Sequence, residues 1–392
     1  MAFLRLLPIA RYEYYGDDGC FFSLYKKNVY INNKYAKKIN DLVHGKLEYL
    51  ENEYDDEFND IVKELFNEGF IYSYDNPVYS EKLLFHNEKS VPGIIENPPR
   101  IKKLFVEADR KCGLKCEVCK LRELTKPCET CAIWKKEEVV CNYEKLINGI
   151  LRIIKMPVEE VIISGGNPFL EWEYVEKAIL AVRKKNRHIK ISLVVNFLNL
   201  NIEKMDFLIS NRVHLVVTVA NINNVDQLKE KILYLQKIGI KHKVLLIEKT
   251  NLISYSSELL KENEIKLDNI VEKLDFEDIP LTLDKFHVRK NYTSDEILLQ
   301  KNNNRCMSGN VAISLDGDVK VCPAWNEAIL NLNDQKIDKV FCDENISRYW
   351  SKIRDISGCE KCALKWMCND CMALLEFFKE NNKNGKYICG KQ

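Results

Sequence analysis

Closely spaced cysteines give the first indication of chemistry. The segment "ADRKCGLKCEVCKLRELTKPCETCAIW", residues 108–134, contains Cys112, Cys116 and Cys119 in the spacing C-x3-C-x2-C, followed by Cys128 and Cys131. Three thiolates from one loop can hold three irons of a cubane [4Fe-4S] cluster and leave the fourth iron open to another ligand. The alternative is a zinc site, which would need a fourth ligand such as Cys128 or Cys131.

A second group of cysteines lies near the end of the chain. It begins in "RCMSGNVAISLDGDVKVCPAW" and continues in "GCEKCALKWMCNDCMALLEF" with the spacing C-x2-C-x5-C-x2-C. The candidate ligands in this group are Cys306, Cys322, Cys359, Cys362, Cys368, Cys371 and Cys389. Taken alone, the two C-x2-C pairs are also typical of a zinc ribbon.

The composition of the chain indicates what these thiols are used for. The 15 cysteines belong to a chain of 392 residues whose start has no signal-peptide pattern and which contains no apolar run long enough to span a bilayer. We therefore expect a cytoplasmic protein with reduced thiols, in which clustered cysteines bind metal or take part in catalysis. The 59 basic and 58 acidic side chains leave a net charge of +1, so we expect neither nucleic acid nor membrane as a partner.

From residue 101 the sequence alternates apolar strands with amphipathic helices. Predicted strands cover residues 103–108, 158–165, 188–196, 213–220, 241–248 and 278–286. Strands that are apolar along their whole length are typical of a parallel sheet covered on both faces. The pattern predicts an α/β domain, either an open parallel sheet or a partial barrel, with its chemistry at the carboxyl ends of the strands.

The first 75 residues have a different pattern. Residues 20–33, "CFFSLYKKNVYINN", predict a hairpin, and two amphipathic segments predict helices, the second ending at Gly69. Together they predict a winged-helix-like domain over residues 1–75. Four prolines predict a linker over residues 76–100, which leaves a barrel over residues 101–300 and a metal-dependent domain over residues 301–392.

The cysteine loop after the first predicted strand resembles that of the radical S-adenosylmethionine (SAM) enzymes, which share a partial (β/α)6 barrel. The resemblance implies that Cys112, Cys116 and Cys119 bind a [4Fe-4S] cluster whose fourth iron is chelated by SAM. Further similarities are "ISGGNPFL" after the second strand, "VVNF" at the end of the third and "VVTVAN" in the fourth. By this resemblance the SAM-binding residues are Gly165, Gly166, Asn167, Asn196 and Thr218.

The C-terminal cysteines resemble the SPASM extension of radical SAM enzymes, which holds two auxiliary [4Fe-4S] clusters. The resemblance implies that Cys359, Cys362, Cys368 and Cys389 bind one cluster and that Cys306, Cys322 and Cys371 bind the other. The last C-x2-C is shorter than is usual in the family, and the family's additional cysteine after the first is absent from "MSGNVAISL". The second cluster is therefore expected to keep an open iron or to use Cys342 as a further ligand.

The hairpin and helices at the start resemble the PqqD-like leader-recognition domain fused to enzymes that modify ribosomally made peptides. This resemblance implies a peptide maturase that forms thioether crosslinks, with a leader-bearing precursor peptide and a flavodoxin or ferredoxin as partners. Carbon–carbon crosslinking, epimerisation, and oxidation of a serine or cysteine on a protein are the alternative reactions. The alternative outside enzymes is a zinc-binding winged-helix regulator, although the acidic "DDEFNDIVKEL" disfavours a DNA-recognition helix.

Overall fold

The computed structural model describes residues 3–8, 10–23, 29–32, 34–76, 100–120, 122–123, 129–131, 134, 141–220, 222, 225–249, 252–274, 304, 306–325, 327–332 and 346–350. Several predictions from the sequence fall outside these residues: most of the linker, the strand at 278–286, and Cys128, Cys342, Cys359, Cys362, Cys368, Cys371 and Cys389.

The N-terminal residues form two small antiparallel sheets and two helices. In chain order the elements are β1 (Phe3–Leu6), β2 (Ala10–Tyr15), β3 (Asp18–Ser23), β4 (Val29–Asn32), α1 (Ala36–Val43), α2 (Asp56–Asn67) and β5 (Ile71–Tyr74). Strands β2, β3 and β4 form one sheet in that order, and β1 pairs with β5 in the other. The antiparallel β3–β4 pair confirms the predicted hairpin.

Helix α2 shows how the sequence fixes this part of the chain. The Asp55 carboxylate accepts a hydrogen bond from the Phe58 amide at 3.0 Å, which caps the first turn. Phe58, Val62 and Leu65 recur at helical spacing and are buried in the N-terminal core. Gly69 follows the helix with φ of +67°, a conformation that favours glycine, as the sequence predicted for the end of this helix.

The rest of the described chain is built on one ten-stranded sheet. Its strands are β6 (Ile101–Glu107), β7 (Arg122–Glu123), β8 (Val158–Ser164), β9 (Lys190–Asn196), β10 (Val213–Val219), β11 (His242–Lys249), β12 (Asn269–Leu274), β13 (Asn310–Ile313), β14 (Asp318–Lys320) and β15 (Leu330–Asn331). The helices are α3 (Tyr143–Ile153), α4 (Trp172–Lys185), α5 (Met205–Ser210), α6 (Val225–Lys237), α7 (Ile253–Glu262) and α8 (Ile346–Trp350). None of the described helices combines the length and apolarity needed to cross a membrane.

Strand order decides between the two predicted architectures. The sheet runs β15-β14-β13-β6-β8-β9-β10-β11-β12-β7, and its six strands from β6 to β12, β7 excepted, are parallel and follow chain order. A doubly wound sheet would reverse direction at a switch point, whereas sequential order is that of a βα barrel. The sixth parallel strand is β12, which was not predicted from the sequence; its "NIVEKL" is shorter than the other five.

Two ion pairs that share one carboxylate show that this sheet is curved. Lys103 on β6 and Lys243 on β11 both contact the carboxylate of Glu129. Three strands lie between β6 and β11, so a flat sheet would hold the two strands about 19 Å apart. Because one carboxylate reaches both lysines, the sheet must curl around the segment that carries Glu129, as a partial barrel does.

The inner face of the curved sheet has a layer of apolar side chains. These are Phe105, Ile162, Val194, Val216, Leu245 and Ala312, with Trp134 packed against them. The alternate side chains of the same strands pack against the helices in a much larger core. The barrel interior at this level is therefore filled, and chemistry belongs to the layer nearer the carboxyl ends.

Candidate active site

The three-cysteine loop leaves the carboxyl end of β6, where the sequence predicted it. Cys116 is buried, while Cys112 and Cys119 are half-buried. A 3-10 turn at Glu117–Lys120 brings the Cys119 amide to 3.1 Å from the Cys116 carbonyl oxygen. Cys116 and Cys119 pack with Ala220 and Ile247, which lie at the carboxyl ends of β10 and β11. The loop thus covers the mouth of the barrel.

The sulfur atoms of this loop influence one another. A hydrogen bond with Cys119, followed in importance by burial, raises the pKa of the Cys116 thiol. Thiolates in such surroundings are stabilised by a bound cationic group, as in metal and iron–sulfur sites. Among the described residues, no group of three His, Cys, Asp or Glu side chains is arranged to hold a single metal ion. The alternative of a zinc site that includes Cys128 stays a prediction, since Cys128 lies outside those residues.

The paired glycines after β8 pack directly on the cysteine loop. Gly165 and Gly166 have φ of +108° and +45°, and a Cβ added at Gly166 would lie 2.4 Å from the Lys111 carbonyl oxygen. The Asn167 amide donates to that same oxygen at 2.8 Å. The glycines therefore allow the loop backbone at residues 109–111 to approach, which is a structural reason for them in addition to the predicted contact with SAM.

We expect Gly166→Ala to disturb the loop more than Gly239→Ala. Both glycines have positive φ, so both substitutions strain the backbone by about 1 kcal/mol. Only at Gly166 does the new Cβ meet backbone, whereas at Gly239 it meets nothing within 4 Å. The additional loss in unfolding free energy at Gly166 should be about 1–3 kcal/mol, measured by urea unfolding. Equal losses in the two variants would contradict this assignment of the glycines.

Three further residues implicated in SAM binding by the resemblance have local partners. The Asn167 side-chain oxygen accepts from the Phe169 amide at 3.1 Å, and the Asn196 side-chain oxygen accepts from the Leu198 amide at 3.0 Å. The fully buried Thr218 hydroxyl donates to the Val195 carbonyl oxygen at 3.3 Å. Hence Asn167 and Thr218 stabilise backbone at the barrel mouth whether or not they also contact a cofactor.

Two buried polar atoms at this mouth have no partner among the described residues. One is Nδ2 of Asn196, whose side chain is 1% exposed, and the other is Oδ2 of Asp109, whose second oxygen accepts from the Arg110 and Lys111 amides. Burial raises the pKa of the Asp109 carboxyl. A buried polar group without a partner is costly, so one amide donor and one carboxyl oxygen suit a polar ligand at this site. Asp109 was not among the residues predicted for the site, although it directly follows the strand predicted over residues 103–108.

A buried network of charges ties the cysteine loop to the C-terminal part of the sheet. Arg110 donates from Nε to Glu107 at 2.9 Å and also contacts the Asp316 carboxylate. The Leu315 amide donates to Glu107 at 2.7 Å. Burial alone would lower the pKa of Arg110, but its hydrogen bonds to Glu107 and Asp316 hold that pKa above its ordinary value. The β13–β14 turn therefore helps to fix the start of the loop.

The segment that includes Cys131 lies on the inner face of the sheet. Thr130 is fully buried, Trp134 donates from Nε1 to the Ser164 hydroxyl at 2.8 Å, and the sulfur of Cys131 lies 3.7 Å from the Thr218 hydroxyl. Burial alone would raise the pKa of the Glu129 carboxyl, but the ion pairs with Lys103 and Lys243 hold that pKa below its ordinary value. The C-x2-C of Cys128 and Cys131 marked this segment in the sequence but did not predict its position, because contacts with four strands elsewhere in the chain place it.

The two described C-terminal cysteines lie at the other end of the sheet. Cys306 precedes β13 and Cys322 follows β14, and the antiparallel register of these strands puts both at the end opposite the Leu315–Asp316 turn. That end is the amino end of β6, because β13 runs parallel to β6. Cys306 and Cys322 are therefore separated from the three-cysteine loop by at least the length of a strand.

Cys20 and Cys141, which belong to neither group of closely spaced cysteines, differ in their surroundings. Cys20 lies on β3 and is 2% exposed. Cys141 is half-buried, and burial together with the nearby Glu107 and Glu171 carboxylates raises the pKa of its thiol to about 12. Cys141 is thus a neutral thiol close to the charged network at the barrel mouth.

The chain is similar in structure to a small set of known proteins. No protein-family model and no curated protein matches it. Solved structures that resemble it include polyhistidine-tagged anSMEcpe with bound AdoMet (TM-score 0.48, 15% identity, 71% of this chain and 92% of that one). Native anSMEcpe with bound AdoMet and Cp18Cys peptide has a TM-score of 0.47 and 15% identity, over 71% of this chain and 96% of that one. BtrN in complex with AdoMet and 2-DOIA has a TM-score of 0.36 and 14% identity, over 69% of this chain and 94% of that one. Similarity at this level carries no assignment of function, which must come from the residues of the site.

Proposed function

We propose that the chain is a radical SAM enzyme that modifies a ribosomally made precursor peptide. The observation that carries the proposal is the C-x3-C-x2-C loop at the carboxyl end of the first strand of a curved, sequentially ordered parallel sheet. Sites of βα barrels lie at that end. The donor set fits a [4Fe-4S] cluster with one open iron, since three soft thiolate ligands come from a single loop.

The neighbouring residues fit SAM as the ligand of that open iron. Its methionine part carries an ammonium and a carboxylate, and the site offers the unpartnered Asp109 carboxyl oxygen and Asn196 amide donor. Cys112, Cys116 and Cys119 would hold the cluster. When bound, the clusters and SAM supply a 5'-deoxyadenosyl radical that can take hydrogen from the peptide, and an acceptor for the electron left over.

For the modification itself we propose a thioether crosslink. Forming one removes a hydrogen atom from a peptide carbon and a proton from a peptide thiol, so each crosslink costs the peptide two hydrogens and one free thiol. The proposed electron acceptor is an auxiliary cluster held by Cys306, Cys322 and Cys371, with a second held by Cys359, Cys362, Cys368 and Cys389. The position of Cys306 and Cys322 at the far end of the sheet favours electron acceptance over direct contact with the reacting carbon.

For leader recognition we propose the N-terminal residues 1–75. Strand β4 is at the edge of the three-stranded sheet among the described residues, so its backbone can accept an added strand. The first turn of α2 carries Asp56 and Glu57, which disfavours phosphate binding and so the DNA-binding alternative. A low-potential donor of the flavodoxin or ferredoxin type completes the proposed set of partners.

The experiment that tests this function uses the full chain reconstituted anaerobically with iron and sulfide. After chemical reduction in the presence of SAM, we expect 5'-deoxyadenosine to form. A candidate peptide, encoded by a gene next to the one for this chain, should lose two hydrogens per crosslink. Its crosslinked cysteine should no longer react with a thiol-alkylating reagent. A carbon–carbon crosslink would leave the thiol free, and epimerisation would leave the mass unchanged. Zinc in place of iron, with no SAM cleavage, would support the regulator alternative and overturn the proposal.

A further inference from the structure

A side-chain amide contacts one of the proposed cluster ligands. Nδ2 of Asn199 lies 3.3 Å from the sulfur of Cys112 and 3.3 Å from its carbonyl oxygen. We infer that Asn199 is a positioning residue that holds Cys112 and raises the reduction potential of the cluster by donating an N–H to its sulfur. This inference rests on the proposed function, because it requires Cys112 to be an iron ligand.

The backbone around Asn199 is fixed by several contacts. Asn199 ends the 3-10 turn Phe197–Asn199, which follows β9 and is capped by the Asn196 side chain. The ammonium group of Lys231 on α6 donates to the Phe197 and Leu198 carbonyl oxygens at 2.8 and 3.3 Å. Phe197 is fully buried in the main core. The amide group therefore meets Cys112 from a preorganised turn.

The effect of this contact on reduction has a definite sign. Uptake of one electron from an external low-potential donor makes the cluster, including its ligand sulfur atoms, more negative. A hydrogen bond to a more negative acceptor is stronger, so the N–H of Asn199 stabilises the reduced form more than the oxidised form. Hydrogen bonds to the sulfurs are among the factors that set the potential of an iron–sulfur cluster. Loss of the donor should thus make reduction harder.

The test is a redox titration of the three-cysteine cluster by electron paramagnetic resonance, without peptide or turnover. In Asn199→Leu, which has a similar size and no donor, we expect about a tenfold smaller ratio of reduced to oxidised cluster at a fixed potential, a downward shift of about 59 mV. Asn199→Gln, which keeps an amide, should shift less. Asn201→Leu is the matched control, because the Asn201 side chain caps Glu203 and should leave the potential unchanged.

The outcomes of the titration separate the role of Asn199 from the proposed function. An unchanged potential in Asn199→Leu, with parent-like iron content, would overturn this inference alone. If Asn199→Leu does not bind iron, the potential of Asn199→Ala is compared with that of the parent instead. Asn199 is half-buried, so the site tolerates a smaller side chain. An upward shift in either variant would also overturn the inference. A parent chain that binds no [4Fe-4S] cluster would overturn the proposed function and this inference together.

Discussion

Replacing Cys112, Cys116 and Cys119 together with alanine is expected to abolish SAM cleavage and to lower the iron content from about 12 to about 8 atoms per chain. The loss follows because the three thiolates are the proposed ligands of one four-iron cluster, while the C-terminal cysteines are the proposed ligands of two more. The measurement is iron and acid-labile sulfide per chain after anaerobic reconstitution, together with 5'-deoxyadenosine formed on reduction.

The matched control for this variant is Cys20→Ala. Cys20 is also a buried cysteine, but it lies on β3 among the N-terminal residues and belongs to neither proposed group of cluster ligands. Its replacement should leave iron and SAM cleavage at parent levels. A parent with about 4 irons, and zinc at the C-terminal cysteines, would retain radical chemistry and remove the proposed auxiliary clusters. Unchanged iron in the triple variant would contradict the assignment of its ligands.

Replacing Arg110 with methionine is expected to lower the free energy of unfolding by about 3–5 kcal/mol. Glu107 is 1% exposed, and without Arg110 its carboxylate would be a buried charge with no compensating cation. The measurement is urea unfolding of the full chain. Asp316→Asn is the comparison, because the Asp316 side chain is 35% exposed and its removal should cost only about 1 kcal/mol.

The effect of the Arg110 substitution should depend on pH. Burial raises the pKa of the Glu107 carboxyl even in the parent, so the folded state binds this proton more tightly than the unfolded state. The associated stability is present at low pH and is lost as pH rises through the folded-state pKa. Removing Arg110 should raise that pKa further. The deficit of Arg110→Met should therefore be small near pH 4 and larger near pH 7, and a constant deficit would contradict the role given to Glu107.

The periodicity of the sequence was sufficient to predict most of the sheet. Segments such as "VEEVIISG" and "VHLVVTVA" are apolar along their length because both faces of a parallel strand are covered, and this signal is local. The β3–β4 hairpin and the end of α2 at Gly69 were also predicted, because turn and helix-end signals are likewise local in the sequence. Strand β12 was missed because it is the shortest of the six parallel strands from β6 to β12, so its periodicity extends over the fewest residues.

The sequence by itself also determined the candidate ligands, because cysteine spacing within one loop is a local property. Only the tertiary structure decided which other groups meet that loop. Asn199, Glu129 and Asp316 are separated from their partners in the site by many residues, and no motif marks them. The pairing of β13 with β6 and the curvature of the sheet bring these groups to their partners, since strand pairing and packing on the inner face act between segments distant in the chain.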